Sequence, residues 1–261
     1  MSEAFYIYGR RSIVEALRQA ARVQKLYVLY GSAADIQERA RRSGVPVSEL
    51  SRQRFTELAQ AAGTTLKESQ GVIALVYPLP VLSAEELLER AAPTAEGLLV
   101  AVDGVEDPQN LGAIARCAEA AGAQGLIVPR HRAAPLTPAA VKAAAGAFMH
   151  LPVAHVVNLG DVLRRLQRLG WWIVGSAVEG ERLYWEPLYD RPVVLVVGSE
   201  HRGMRPSIRA LCDLIVRIPL RGRVESLNAA AAAAVLLFEI QRQRYQIGLW
   251  SESLKLADVP N

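Results

Sequence analysis

Leu98-Leu-Val-Ala-Val102-Asp103-Gly-Val-Glu-Asp-Pro108-Gln-Asn110-Leu-Gly112 is the stretch that decides the fold. Leu98–Val102 is an unbroken apolar run, which reads as a strand covered on both faces. The polar loop Asp103–Asp107 follows it. Pro108 then opens a helix, because its fixed φ and missing N–H suit a first helical turn. A buried strand, a polar loop and a helix in that order are the building block of a parallel sheet with helices packed on it.

The same alternation continues downstream. Helices are expected at Pro108–Ala121, Pro138–Phe148 and Leu159–Leu169, and a long one at Leu227–Tyr245. Strands are expected at Gly125–Val128, Val153–Val157, Trp172–Val174, Val193–Val197 and Leu214–Ile218. Upstream, Arg11–Leu17 has helical spacing, with Ser12 as cap and Glu15 three residues on. Strands at Lys25–Leu29, Val45–Val47 and Gly71–Val76 alternate with helices at Ala34–Ser43, ended by Gly44, and at Arg52–Ala62. Between the two halves, Pro78 and Pro80 bracket an extended stretch. Ser83 then caps a short acidic helix through Arg90, and Pro93 breaks it. The expected organisation is α/β throughout, with a small domain at 1–77, a linker at 78–97 and a parallel-sheet domain at 98–261.

Composition narrows the function. The chain has 261 residues, 51% hydrophobic and 21% charged, which is too apolar and too nearly neutral for a disordered protein. Two cysteines, Cys117 and Cys212, cannot staple a secreted scaffold, and no Cys/His spacing suggests a metal site. The N-terminus has no basic and apolar leader and no run is long enough to span a bilayer, so a cytoplasmic protein without metal or membrane contact is expected. Residues 1–80 carry 11 Lys+Arg against 7 Asp+Glu, whereas the rest balances at 19 each. Of the 30 basic residues 26 are Arg, whose planar fork clamps phosphate and stacks on bases. An Arg-rich solvated surface would give the same count, so charge alone raises an acidic-backboned partner without deciding it.

Doubly wound sheets bind ligands beyond the carboxyl ends of their strands, so the loops there carry the chemistry. After Val102 a dinucleotide-binding fold would place GxGxxG, which is missing. Asn110 stands instead in a first helical turn, where free N–H groups favour an anion, and Arg116 follows within two turns. Arg116 can clamp phosphate, sit solvated, or pair with Glu119. After Val197, Gly198-Ser-Glu200-His-Arg-Gly203-Met is a small-residue turn that lets backbone approach a ligand, with Glu200 at its tip as an acceptor or an orienting group for Arg116. His201 has no partner at metal spacing and reads as a surface residue. After Ile218, Pro219-Leu-Arg-Gly-Arg-Val-Glu-Ser226-Leu-Asn228 leads into an Ala-rich helix. Ser226 is the expected N-cap, with Asn228 in the first turn.

Taken together these loops resemble the SpoU (TrmH-type) family of RNA 2′-O-ribose methyltransferases within the SPOUT superfamily. Asp103–Arg116, Leu195–Met204 and Ile218–Asn228 are similar to its three motifs. Tyr8-Gly9-Arg10, Val14–Leu17 and Ser69–Ala74 are similar to the RNA-binding domain of one branch. Similarity runs from about Tyr8 to Arg242. It is strongest to the branch that methylates a guanosine in the peptidyl-transferase P loop of 23S rRNA; a different rRNA or a tRNA nucleotide is the alternative target.

The resemblance implies an L30e-like N-terminal domain, a C-terminal domain with a deep trefoil knot, and a homodimer formed through the knotted domains. It implies S-adenosylmethionine as cofactor, at Gly198, Ile218 and Leu227 with Ser176, Ala177, Val197 and Leu220 beside them. It further implies catalytic or substrate-facing roles for Asn110, Arg116, Glu200, Ser226 and Asn228. The chain departs from the family pattern at Arg11, Glu225 and His201-Arg202, which bears on RNA preference rather than on the reaction. A non-catalytic RNA-binding protein, which would not bind the cofactor, and a nucleotide-dependent oxidoreductase, which the missing glycines disfavour, are the readings from other classes.

Overall fold

The computed structural model describes residues 5–18, 23–76, 81–200 and 202–249. The chain groups into two units. The first holds Met1–Pro80 with Pro108–Arg116 and Ala134–His150; the second holds Val81–Asp107, Cys117–Ala133 and Leu151–Asn261. Tyr77 to Pro80 and His201 fall outside the described residues.

In the first unit the elements run β1 (Phe5–Tyr8), α1 (Arg10–Arg18), β2 (Val23–Leu29), α2 (Ala34–Arg42), β3 (Val47–Leu50), α3 (Arg52–Ala61), α4 (Leu66–Ser69) and β4 (Val72–Val76). The sheet order is β1-β4-β2-β3. The strand β4 is antiparallel to β1 and β2, while β2 and β3 are parallel. Phe55 and Ala59 on α3 pack with Tyr8 and Ile73 of the sheet, and Ile13, Ile36 and Ala40 are buried on α1 and α2. The expected cap Ser12 is instead buried inside α1, which starts two residues earlier because Gly9 turns the chain at φ 89°.

The elements then run β5 (Val81–Leu82), α5 (Ala84–Arg90), β6 (Leu98–Asp103), α6 (Pro108–Ala120), β7 (Gly125–Pro129), α7 (Pro138–Ala143), β8 (Val153–Val156), α8 (Leu159–Arg168), β9 (Trp172–Ser176), β10 (Arg182–Leu183), β11 (Val193–Gly198), α9 (Pro206–Arg209), β12 (Leu214–Arg217) and α10 (Ala229–Gln246). The second unit is built on an eight-stranded sheet of order β10-β12-β9-β11-β6-β7-β8-β5, in which every paired neighbour is parallel. The apolar run Leu98–Val102 and its neighbour Val193–Val197 are buried on both faces, as uninterrupted hydrophobic strands require. Within 78–97, Val81 and Leu82 pair with β8, Ser83 and Glu86 form a reciprocal capping box on α5, and Leu87 is buried in the core of this unit.

Two packing features are notable, one in each unit. A side chain at Gly112 would collide with the Ala140 carbonyl, so α6 and α7 meet backbone to backbone in the first unit. The Ala-rich helix stops at Ala143 rather than reaching Phe148: Ala145 and Gly146 turn it with φ 49° and 101°, and a 3-10 turn follows at Ala147–Met149. In the second unit Arg244 of α10 is fully buried and, among the described residues, makes no ion pair. Its guanidinium donates to the carbonyls of Glu96 (2.7 Å), Gly97 (2.9 Å), Arg191 (3.0 Å) and Tyr189 (3.2 Å). Burial brings its pKa down to about 10. Among the described residues no helix is long and apolar enough to cross a membrane.

Candidate functional site

In a parallel sheet all carboxyl ends lie along one edge. The order β12-β9-β11-β6 sets four of them side by side, with Val216 opposite Ser176, Ser176 opposite Val197 and Val197 opposite Val102. The loops leaving β9, β11 and β12 enclose the site.

The loop after β11 is a closed turn. Ser199 and Gly203 exchange backbone hydrogen bonds at 2.9 and 3.2 Å, and the Ser199 hydroxyl accepts from the Arg202 N–H at 3.2 Å. A side chain on Gly198 would run into the backbone of Gly203 and Met204, so only glycine lets the turn fold back on the strand end. Asp103, only 1% exposed at the end of β6, accepts from both the backbone N–H and the Nε of Arg205, each at 2.7 Å. Sequence reasoning quoted Asp103 but gave it no role. Its signal is there: a carboxylate closing a buried apolar strand must find a strong partner.

The loop after β12 runs without regular structure from Ile218 to Leu227 and ends at α10. The cap of that helix is Asn228, not Ser226. The Asn228 Oδ1 accepts from the N–H groups of Ala230 (2.9 Å) and Ala231 (3.3 Å), so the first-turn donors are taken two residues later than expected. The Asn228 Nδ2 donates to Glu200 at 3.3 Å, which joins the two loops.

Between them lies a cavity of about 520 Å³. All seven residues expected around a cofactor, Ser176, Ala177, Val197, Gly198, Ile218, Leu220 and Leu227, line it. So do Glu200 and Ser226, with Asn228 attached through Glu200. Arg202 and Glu225, at two positions that depart from the family pattern, line it as well, and sequence reasoning did not anticipate Glu179, Met204 and Arg209 there. The lining mixes apolar side chains with two arginines, three glutamates and several serines, which suits a small molecule that carries both an apolar ring and polar or charged groups.

Asn110 and Arg116 stand on α6, in the residues that group with the first unit. Asn110 is half-buried in the first turn, as expected. Arg116 is exposed and, among the described residues, makes no ion pair, with Glu119 or any other carboxylate. Burial pushes the Cys212 thiol up to about 12, with Asp213 adding to the effect, so it is no thiolate at neutral pH.

Residues 97–238 match the SpoU rRNA Methylase family, and residues 6–82 match the RNA 2′-O ribose methyltransferase substrate binding family. The 23S rRNA (guanosine-2′-O-)-methyltransferase RlmB of Pseudomonas aeruginosa is 39% identical over 251 residues, covering 94% of this chain and 98% of that protein. The enzyme of the same name from Vibrio cholerae is 38% identical over 243 residues, covering 91% of this chain and 96% of that one. Among solved structures, the SpoU methyltransferase AviRb from Streptomyces viridochromogenes, in complex with AdoMet, superposes with a TM-score of 0.78 at 27% identity. That likeness covers 93% of this chain and 91% of AviRb.

Proposed function

The chain belongs to the SpoU rRNA methylase family, and from that premise we propose that it transfers a methyl group from S-adenosylmethionine to a ribose 2′-hydroxyl of a guanosine in 23S rRNA. The full-length likeness to the two RlmB enzymes supports the choice of a 23S rRNA guanosine, and the motif resemblance points to the peptidyl-transferase P loop. One observation carries the reaction: the loops after β9, β11 and β12, separate in sequence, line a single cavity.

The residues present fit the cofactor. The glycine at position 198 lets the turn to Gly203 fold back on the strand end and line the cavity, and Val197, Ile218, Leu220 and Leu227 give that cavity apolar surface for an adenine ring. When bound, S-adenosylmethionine supplies an electrophilic methyl on a sulfonium, so the protein's task is alignment for in-line attack. Asn110 and Ser226 orient the attacking hydroxyl, and Asn228 fixes Glu200 for the substrate side. Arg116, with no carboxylate to hold it among the described residues, stabilises the oxyanion that develops on that hydroxyl. A guanidinium holds its proton far above neutral pH, so the proton leaves to solvent or to Glu200.

In this reading residues 1–77 grip RNA, 78–97 connect, and 98–261 carry out the chemistry with the chain threaded as a deep trefoil knot. The protein works as a homodimer through the second domain, which the exposed α10 residues Val235, Phe238 and Tyr245 support. The test is methyl transfer from radiolabelled S-adenosylmethionine to transcribed 23S rRNA and to total tRNA, followed by mapping of the 2′-O-methyl group. Label at a P-loop guanosine is the expected result. Label on another rRNA or tRNA nucleotide overturns the target, and neither cofactor binding nor label overturns the reaction in favour of a non-catalytic RNA binder.

A further inference from the structure

The small sheet of the first unit has a carboxyl-end edge of its own. Tyr8 pairs with Ile73, Val28 with Val72, and Leu29 with Leu50, so β1, β2 and β3 all end at the level where β4 begins. The helices α1, α2 and α3 therefore all start at that edge, and so does every residue in the turns before them. Gly9, Arg10 and Arg11, then Tyr30 to Ala33, then Ser51 to Arg54, and finally Gln70 and Gly71 are thus neighbours along one rim.

The rim is rigid. The Arg10 N–H donates to the Gln70 Oε1 at 2.9 Å, the Ser32 hydroxyl donates to the Leu29 carbonyl at 2.7 Å, and the Gln37 amide donates to the Ser32 carbonyl at 3.1 Å. The Tyr30 N–H donates to the Leu50 carbonyl at 2.9 Å, which pins its backbone to the end of β3. Two of the described non-glycine residues with left-handed backbone, Ala33 and Gln70, stand here. On this fixed frame the Tyr30 side chain is thrown into solvent, at 79% exposed the barest large hydrophobic residue among those described.

Some arginines of the unit are committed to carboxylates, whereas Arg39 and Arg116, away from the rim, are exposed and make no ion pair among the described residues. Arg18, Arg41 and Arg42 pair with Glu15, Glu49 and Glu38. At the rim Arg10 is held by Asp35 at 2.6 Å, but Arg11, Arg52 and Arg54 are exposed and, among the described residues, make no ion pair. A bare aromatic ring on a hydrogen-bonded backbone frame, with uncommitted guanidinium groups along the same rim, matches what a flexible, unpaired nucleotide needs. The ring stacks on the base, and the cations take the phosphates on either side. A paired stem offers no free base face to Tyr30.

We propose that this rim is the RNA-docking surface of the first unit, with Tyr30 as a stacking platform for an unpaired base and Arg11, Arg52 and Arg54 as phosphate clamps. It rests on the reading of the chain as an RNA methyltransferase and adds where, and in what form, the RNA is held.

The test uses the full chain and two fluorescein-labelled probes, an RNA hairpin with a mixed-sequence unpaired loop and a blunt duplex of the same stem, followed by anisotropy. The wild type binds the hairpin more tightly than the duplex. Tyr30→Ala loses about tenfold in hairpin affinity, and Tyr30→Phe keeps it. The triple variant Arg11→Ala, Arg52→Ala, Arg54→Ala flattens the salt dependence of hairpin binding by about 0.7 per lost phosphate contact. Unchanged melting curves and S-adenosylmethionine binding in each variant show that the fold is intact. Wild-type hairpin affinity in Tyr30→Ala, or a wild-type salt slope in the triple variant, overturns the docking surface and leaves the methyltransferase reading standing. A wild type that binds neither probe nor 23S rRNA overturns both.

Discussion

Asp103 and Arg205 tie the end of β6 to the loop after β11: one buried carboxylate accepts two hydrogen bonds of 2.7 Å from the same arginine. The pair touches the turn that lines the cavity without lining it itself. Replacing Arg205 by Ala leaves the carboxylate with the backbone donor alone. Because the guanidinium is 39% exposed, the cost should fall between a surface and a buried pair, about 2 kcal/mol. Chemical denaturation should read that loss, and calorimetry should show weaker S-adenosylmethionine binding than in wild type. An Arg205→Ala variant of wild-type stability would show that the turn is held by its own hydrogen bonds.

At Gly198 the substitution of a single methyl group is decisive. Alanine there has no room against Gly203 and Met204, so the strand end and the turn must part. Gly198→Ala should remain folded, since the displaced loop is on the sheet edge, and should lose cofactor binding in a calorimetric titration.

Arg116 separates binding from chemistry. Arg116→Ala should retain cofactor affinity while single-turnover methyl transfer falls by about a hundredfold or more, the scale of losing one preorganised stabiliser of a developing anion. Full activity in that variant would remove Arg116 from the mechanism.

Cys212 gives the protein an alkaline weakness. Its folded pKa of about 12 lies above the ordinary thiol value near 9, so the folded state keeps a proton that the unfolded chain gives up. The stabilisation is complete below pH 9 and is lost as the pH rises from 9 towards 12, by about 1 kcal/mol at pH 10. Denaturation midpoints measured at pH 8 and pH 10 should fall further in wild type than in Cys212→Ala.

The parallel sheet was legible because strands buried on both faces have no polar residue to interrupt them, as in Leu98–Val102 and Val193–Val197. What escaped was whatever depends on a distant partner. Val81–Leu82 and Arg182–Leu183 are strands only because β8 and β12 offer them an edge. The end of α7 is set by Ala145 and Gly146, although alanine favours continuing a helix. Ser226 and Asn228 are equally good caps on paper. The choice falls to Asn228, which meets the α10 N–H groups and also reaches Glu200 across a separation of 28 residues. The cavity positions came from resemblance to motifs; the Asp103–Arg205 tie needed coordinates, since nothing in the chain marks which arginine a lone carboxylate will meet.

The buried guanidinium of Arg244 has a consequence for the order in which the protein can be made. Its acceptor at Glu96 lies 148 residues earlier in the chain, and those at Tyr189 and Arg191 lie more than 50 residues earlier. While the chain is growing, the strands of the second sheet can pair, but the carbonyls at their amino ends stay open to water until α10 has emerged almost to its last turn. Contacts of such long sequence separation form late because the loop they close costs entropy. A nascent chain stalled before Arg244 should therefore hold a sheet that is assembled yet unsealed, and the second unit becomes a finished body only once that one residue has been made.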